Sequence, residues 1–310
     1  METSILIALM ATAITAGTAI LFASLGEIFT ERVGILNLGA EGMMLVGAVT
    51  GFMVAFKTGN PWLGAAASMM AGGAMAAIHA ILTVTFQANH VVSGLALTIF
   101  GTGLSGYLGK SYIGQPLPNP FKPEKLGVLG DIPVIGPILF QQDALVYLSF
   151  ILVPLAWFYI FHTKMGLNLR SVGENPGAAD SLGVSVSKTR YLYTIIGGML
   201  AGLGGAYLSL AYAPSWMENM TAGRGWIAVA LVIFATWNPL YALVGAYMFG
   251  GIDALGFRMQ IIDLQIPSYF LSMLPYICTI LILIITTYRA RKSGIGAPKA
   301  LGVSYDREDR

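Results

Sequence analysis

Charge is what this sequence has least of. Asp, Glu, Lys and Arg make up 10% of the 310 residues, whereas apolar residues make up 56% and the mean hydropathy is +0.72. Soluble domains carry about 25% charged residues. A soluble chain with so few would expose apolar patches that aggregate. The shortage therefore excludes a water-soluble globule and selects a membrane protein. A net charge of +2 and a pI near 8.6 leave no basic surface for nucleic acid. Cysteine is nearly missing as well. Cys278 stands alone, which excludes an intrachain disulfide and a cysteine-based metal site, and its apolar surroundings read as packing. Without H-E-x-x-H, paired cysteines or clustered carboxylates, no metal is expected. No basic residue precedes Arg32, so the charged start of a cleaved secretory signal is lacking and the opening run is read as a membrane helix that stays.

What the chain does have is a succession of apolar runs. A helix needs about 20 apolar residues to cross a bilayer, and the runs fall at 3–25, 33–56, 61–86, 88–109, 142–162, 191–213, 225–237, 240–257 and 267–288. The pair 225–237 and 240–257 is short, which leaves open a crossing or a re-entrant hairpin covered by neighbouring protein. The expected fold class is all-α, a polytopic transmembrane bundle of about 8–10 segments. Lys164, Arg170, Lys188 and Arg190 lie in 163–190, and Arg289, Arg291, Lys292 and Lys299 follow 288. Short loops rich in Lys and Arg stay inside, so both segments are placed in the cytoplasm. Counting back puts the proline-rich loop 110–141 outside, 26–32 inside and the N-terminus outside.

Set against itself 178 positions on, the chain repeats. Phe56 falls on Phe234, Thr58 on Thr236, Asn60 on Asn238, Pro61 on Pro239, Gly72 on Gly250 and Gly73 on Gly251. The charge-based topology puts Asn60-Pro61 outside and Asn238-Pro239 inside, so the two halves, about 1–110 and 180–290, read as inverted copies in one domain. Inverted repeats are a transporter architecture with the substrate route near the bilayer midplane.

Polar residues are few enough to weigh one by one. In SVGENPGAADSLGVSVSKTR, residues 171–190, Asn175 suits a helix N-cap, Pro176 the first helical position and Gly183 a left-handed end. The short helix between them carries Ala178, Ala179 and Asp180, small enough to admit another protein's surface; an ordinary solvated loop helix fits the same spacing. In GILNLGAEG, residues 34–42, Asn37 and Glu41 stand four apart, on one face of a helix start. A carboxylate there is expensive unless paired, and it serves either a structural hydrogen bond or the substrate route. In SWMENMTAGRGW, residues 215–226, Glu218, Asn219, Thr221 and Arg224 lie between Trp216 and Trp226. Aromatic rings can stack on a sugar or base, so this is the second substrate-route candidate, beside the reading as an interfacial aromatic belt. His79 is read as hydrogen-bonded packing and His90 as a loop residue. Gly109-Lys110-Ser111 imitates a phosphate loop, but Leu104 stands where the pattern needs glycine, so no nucleotide site is expected. The spacings Gly47-x-x-x-Gly51 and Gly198-x-x-x-Gly202 suit helix packing but are expected by chance among 38 glycines.

Three stretches carry a resemblance. GENPGAADSLGVSVSKTRYL, ERVGILNLGAEGMMLVGA and ENMTAGRGWIAVALVIFATWNPLYALVGAYMFGGIDAL resemble the permease family of bacterial ABC importers for simple sugars and nucleosides, with similarity from about residue 25 to 290. The resemblance implies a type II importer-like fold in the cytoplasmic membrane. It also implies that 171–190 is a coupling loop, with Glu174, Asn175, Pro176, Ala178, Ala179, Asp180 and Gly183 meeting a cytoplasmic ATPase. ATP would then be bound by that partner and no cofactor by this chain. Further implied partners are a second homologous permease, forming a heterodimer, an extracytoplasmic substrate-binding protein or lipoprotein, and membrane lipid. The substrate would be a nucleoside, a simple sugar or riboflavin. An ion-coupled secondary transporter, with Glu41 and Asp253 as proton sites, is the rival reading. A membrane enzyme is weakest, for want of a nucleophile beside a base. A reporter fused at Ser185 and another at Gly294 should read cytoplasmic and one at Pro120 external; an external reading at Ser185 would reject the coupling-loop assignment.

Overall fold

In hydrocarbon a backbone must satisfy its own N–H and C=O groups, so apolar runs become helices. The computed structural model describes residues 2–261 and 296–306, with positions 273, 277, 280, 281 and 284 between them. Most of the run expected at 267–288, Cys278 included, lies outside the described residues, as do Arg289, Arg291, Lys292 and Gly294. In chain order the helices are α1 (Glu2–Arg32), α2 (Ala40–Thr58), α3 (Pro61–Ala80), α4 (His90–Gly109), α5 (Ile135–Leu139), α6 (Ala144–His162), α7 (Lys164–Glu174), α8 (Pro176–Ser181), α9 (Val186–Tyr207), α10 (Arg224–Phe234) and α11 (Pro239–Ile261). Single π-helical turns prolong α3 over Ile81–Thr85 and α9 over Leu208–Tyr212. Among the described residues, six helices are long and apolar enough to cross a membrane, beginning at Ile5, Ala40, Pro61, His90, Ala144 and Val186. The protein is a multi-pass helical bundle.

Short polar side chains start these helices where the sequence places them. Asn60 accepts from Trp62 N (2.9 Å), Asn89 from Val91 N (3.0 Å), Asp143 from Leu145 N (2.9 Å), Asn175 from Ala178 N (3.0 Å) and Asn238 from Leu240 N (3.0 Å). Each bond satisfies an amide that has no partner within its helix. Three expectations need correction. Residues 26–32 are not a loop, because Glu27 and Glu31 find partners inside the bundle and α1 continues to Arg32. His90 is the first residue of α4, behind its Asn89 cap. The helix expected over 225–237 stops at Phe234; its 11 residues reach about 16 Å, half of a ~30 Å hydrocarbon layer.

The bundle has two distinct ends. At one, Arg32 Nε donates to Trp237 O (3.2 Å), Leu36 N to His90 Nδ1 (3.2 Å) and Ala300 N to Gly173 O (2.9 Å). This is the basic end, which also carries α7 and α8. At the other, Asn119 Nδ2 donates to Gly59 O (3.2 Å), while Leu117 N donates to Pro214 O and Phe121 N to Leu210 O (both 2.9 Å). This proline-rich end holds a two-residue strand pair, Glu124–Lys125 with Gln141–Gln142. Asn60-Pro61 and Asn238-Pro239 thus cap helices at opposite ends.

At the centre, α9 packs against α1, α2 and α3. Its glycines are not a chance excess. A Cβ at Gly202 would collide with Ser68 O and Gly72, one at Gly198 with Gly72 O, and one at Gly205 with the backbone of Met44. Gly47 of α2 meets Gly202 in the same way, and Gly250 of α11 meets Gly17 of α1. Helices in lipid gain little from hydrophobicity when they associate and rely on close backbone packing through such residues. Gly202→Val should therefore lower stability by at least the roughly 1–3 kcal/mol of ordinary overpacking. Gly103→Val, at a position with open space around it, should stay within about 0.5 kcal/mol of the parent. Thermal unfolding in detergent compares the two.

Candidate functional site

After α9 the chain approaches the proline-rich end, where Ile113 and Trp216 form a bridge, and then turns back into the bundle through 217–223. This turn is strained, with left-handed backbone at Asn219 (φ 53°), Ala222 (φ 48°) and Gly223 (φ 82°). It delivers the start of α10 to about mid-depth, since α10 runs roughly 16 Å from there to the basic end. A helix that begins inside apolar surroundings leaves its first amides without partners.

Glu41 supplies those partners. Its Oε1 accepts from Thr221 Oγ1 (2.5 Å) and Gly223 N (2.9 Å), and its Oε2 accepts from Gly225 N (2.7 Å). The carboxylate is 7% exposed and Thr221 fully buried. The positive end of the α10 dipole favours a negative charge at this point. Gly225 is required by contact, because a Cβ there would sit 2.6 Å from Glu41 Cα. The geometry thus favours the structural role for Glu41, joining α2 to α10 across the middle of the bundle.

Asn37 does not share a helix face with Glu41, contrary to the expectation from their spacing. It precedes α2, donates from Nδ2 to Glu27 Oε1 (2.7 Å) and accepts from Gly39 N (2.9 Å). Trp216 is fully buried against Gly109, so it has no free face on which a solute could stack. Glu218, Asn219 and Trp226 are exposed, Trp226 at 37%. Arg224 lies between these groups. Its Nη2 pairs with Asp253 Oδ2 at 3.3 Å, its Nη1 donates to Thr221 O at 3.3 Å, and its guanidinium stands 5.8 Å from the Tyr212 ring centre. The side chains of Arg224 and Asp253 keep 12% and 20% of their surface open. Arg224, Asp253, Thr221 and Tyr212 thus form a largely buried polar strip at mid-depth, with the exposed Glu218, Asn219 and Trp226 close to Arg224 in the chain.

A second polar cluster lies nearer the basic end, and sequence reasoning touched only its edge. Glu27 and Glu31 are one turn apart on α1 and both buried; Trp237 Nε1 donates to Glu31 Oε2 (2.6 Å). The available signal was two carboxylates in one apolar helix, which need partners or water. His79 is a packing residue, its ring bonded to Ser93 Oγ (2.9 Å) and Leu36 O (3.1 Å).

At the basic end, α8 projects between two fixed points. Asn175 caps its start, and Gly183, at φ +83°, turns the chain out of it in open space. Glu174, Ala178 and Ser181 are exposed, Leu182 is 85% exposed, and Pro176 and Asp180 are half-buried. Ala179 is 2% exposed and faces the chain's own body. The expectation that it meets a partner is therefore corrected, and Ala178 is the small residue that faces outward.

Residues 9–296 match the family model described as branched-chain amino acid transport system / permease component. The chain belongs to this permease family. Similar relatives include a proposed glucose ABC transporter permease protein, TsgC13, of Haloferax volcanii, 42% identical over 95% of this chain and 96% of its own. The guanosine ABC transporter permease protein NupQ of Bacillus subtilis is 38% identical over 92% of each chain. The nucleoside ABC transporter permease protein NupC of Lactococcus lactis is 37% identical over 93% of each. One solved structure, a proposed metal-chelate type ABC transporter in an inward-facing conformation, aligns with a TM-score of 0.44 and 16% identity, covering 91% of this chain and 84% of that one. The permease is the membrane-spanning subunit of an ABC importer.

In the permease, Glu41→Gln replaces one carboxylate oxygen by an amide that cannot accept from the amides at the α10 start. It should lower stability by about 1–3 kcal/mol, because a buried amide is left facing another donor, and Thr221→Val by less, since it removes a hydroxyl while Glu41 still accepts from both amides. Unfolding midpoints in detergent give the order; equal stability of Glu41→Gln and the parent would show that the carboxylate does not hold α10.

Proposed function

We propose that this permease moves a nucleoside or a simple sugar into the cytoplasm, driven by a cytoplasmic ABC ATPase that docks on residues 171–190. The observation that carries the reading is α8, a capped helix that projects from the basic end with Leu182 almost fully exposed. A helix resists bending, so movement of a docked ATPase reaches the helices on either side. A transporter driven by an ion gradient has no use for such a projection. Glu174, Asn175, Pro176, Ala178, Asp180 and Gly183 form the coupling element, while Ala179 anchors it to the permease.

The relatives named for glucose, guanosine and nucleosides support the substrate class. Both kinds of solute offer hydroxyls that bond a guanidinium or a carboxylate, and a ring face that stacks. The partly open strip of Arg224 and Asp253, with Glu218, Asn219 and Trp226 close to Arg224 in the chain, has the groups for this. A strip open on one side needs a second wall, assigned here to a second, homologous permease in a heterodimer. An extracytoplasmic substrate-binding protein or lipoprotein delivers the solute. The N-terminus lies outside and residues 296–306 in the cytoplasm.

The whole chain is read as one membrane domain of two inverted halves. Two observations support this. Asn60 and Asn238 cap equivalent helices at opposite ends, and the crossing of Gly72 with Gly202 has a counterpart in that of Gly250 with Gly17.

The test uses proteoliposomes containing both permeases, the ATPase and the substrate-binding protein. Ala178→Trp, on the outward face of α8, should abolish ATP-driven uptake while leaving permease yield at the parental level. Ala179→Trp should lower yield, because its side chain has no room. Uptake by the parent with no ATPase present would assign transport to another energy source.

A further inference from the structure

Residues 296–306 lie across the basic end and touch three of its connections as well as α8. Ala300 N donates to Gly173 O (2.9 Å) at the end of α7, and Gly302 N donates to Gly34 O (3.0 Å) between α1 and α2. Gln87, between α3 and α4, donates from Nε2 to Asp306 Oδ2 (3.0 Å). Tyr305 Oη donates to Asp180 Oδ2 on α8 (3.2 Å).

The segment is seated rather than draped. Ala300 is 6% exposed, and Leu301 and Tyr305 pack against the main apolar core. Two glycines leave its bed open. A Cβ at Gly173 would collide with Arg32 O and touch Pro298, and one at Gly34 would stand 3.0 Å from Ala300 O and 3.2 Å from Arg190 Nη2. Gly34 also takes φ +93°, a conformation that side chains other than glycine's resist. Beneath the segment Arg190, at the start of α9, is buried, its Nε and Nη2 without hydrogen-bond partners.

Without this segment, α8 would be tied to the bundle mainly through its neighbours in sequence. Its exit turns at Gly183 through bonds within the loop itself, Gly183 N to Asp180 O (2.9 Å) and Val184 N to Ala179 O (3.0 Å). The segment adds firm ties of another kind, backbone to backbone at Gly173 and Gly34 and side chain to side chain at Asp180 and Gln87. Those ties reach the connections that lead into α2 and α4.

We propose that residues 296–306 are a transmission strap, carrying displacement of the coupling helix to the α1–α2 and α3–α4 connections, with Tyr305 as the positioning residue that holds Asp180. The strap rests on the reading that 171–190 receives an ATPase. It adds a second mechanical route beside the helices adjacent to the loop in sequence.

The reconstituted complex tests it through two variants, removal of residues 296–310 and Tyr305→Phe, which keeps the ring and loses the hydroxyl. For each, co-purification of the ATPase, the rate of ATP hydrolysis and uptake per ATP hydrolysed are measured. The strap predicts that the ATPase still co-purifies and hydrolyses ATP while uptake per ATP falls, about tenfold or more on removal and about threefold to tenfold for Tyr305→Phe, the range expected for one net hydrogen bond. Unchanged uptake per ATP in Tyr305→Phe would overturn the role of Tyr305, and unchanged uptake per ATP after removal would overturn the strap. Loss of ATPase co-purification in both would make the segment part of the docking surface and refute transmission. If the unaltered complex shows no ATP-driven uptake, the docking reading fails instead.

Discussion

Everything in this bundle depends on backbones that touch. Lipid surrounds the helices with material as apolar as their own side chains, so hydrophobic burial discriminates poorly between one helix arrangement and another. Glycine removes the side chain that would hold two backbones apart, and dispersion between them then counts in full. Gly198, Gly202 and Gly205 set α9 against α3 and α2, while Gly197 and Gly204 set it against α1. A helix fixed on three sides moves as a rod. Because α9 begins beyond α8 at the basic end and leads into the turn above α10, a displacement at one of its ends is felt at the other.

The turn at 217–223 meets the opposite problem, a helix that must start inside the bundle. Starting a helix at mid-depth is unfavourable, since each buried amide without a partner costs about 1–3 kcal/mol. Glu41 offsets this by accepting two backbone amides and a hydroxyl. All three of these bonds come from the turn and the first residues of α10, so the carboxylate ties that start to α2. The nearby pair of Arg224 and Asp253 is mostly buried but keeps part of its surface open. Holding one charge shut and another available puts a polar strip at the centre of the layer while the helix that carries it stays anchored.

Much of this could be read from residue order. Asn60-Pro61, Asn89 and Asp143 announce helix starts through the short-range bond each makes to its own backbone, so the starts of α3, α4 and α6 were legible to within a few residues. By contrast, α1 ends seven residues beyond its apolar run, and α2 starts seven residues after the start of its own. Spacing failed where the partner lay far along the chain. Asn37 is four residues from Glu41 yet belongs to Glu27, because the helix begins after it. Ala178 and Ala179 differ in nothing but the side of α8 they occupy, and that side is set by contacts with the rest of the protein. Glycines read as a chance excess proved to be crossings, since a glycine's partner is another backbone and leaves no mark in sequence. The strap was illegible for the same reason: its ties to Gly173 and Gly34 are backbone bonds, indifferent to side-chain identity.

Distance along these contacts, rather than along the chain, measures how the loop at the basic end is connected to a strip about 16 Å deeper. Gly173 lies against the carbonyl of Arg32, and the Arg32 guanidinium bonds Trp237 O and Thr236 O just beyond the end of α10. Glu31 holds the Trp237 indole from the other side. The far end of α10 is thus clamped to α1, and its near end, carrying Arg224, is pinned by Glu41 on α2. A push at the α7–α8 joint reaches Arg32 first. If α1 shifts against α2, the two ends of α10 are driven in different directions, and a rigid helix of 11 residues answers by tilting. The half-length helix is tied at both ends, to α1 at the basic end and to α2 at mid-depth, and it is short enough to tilt when those two helices move against each other.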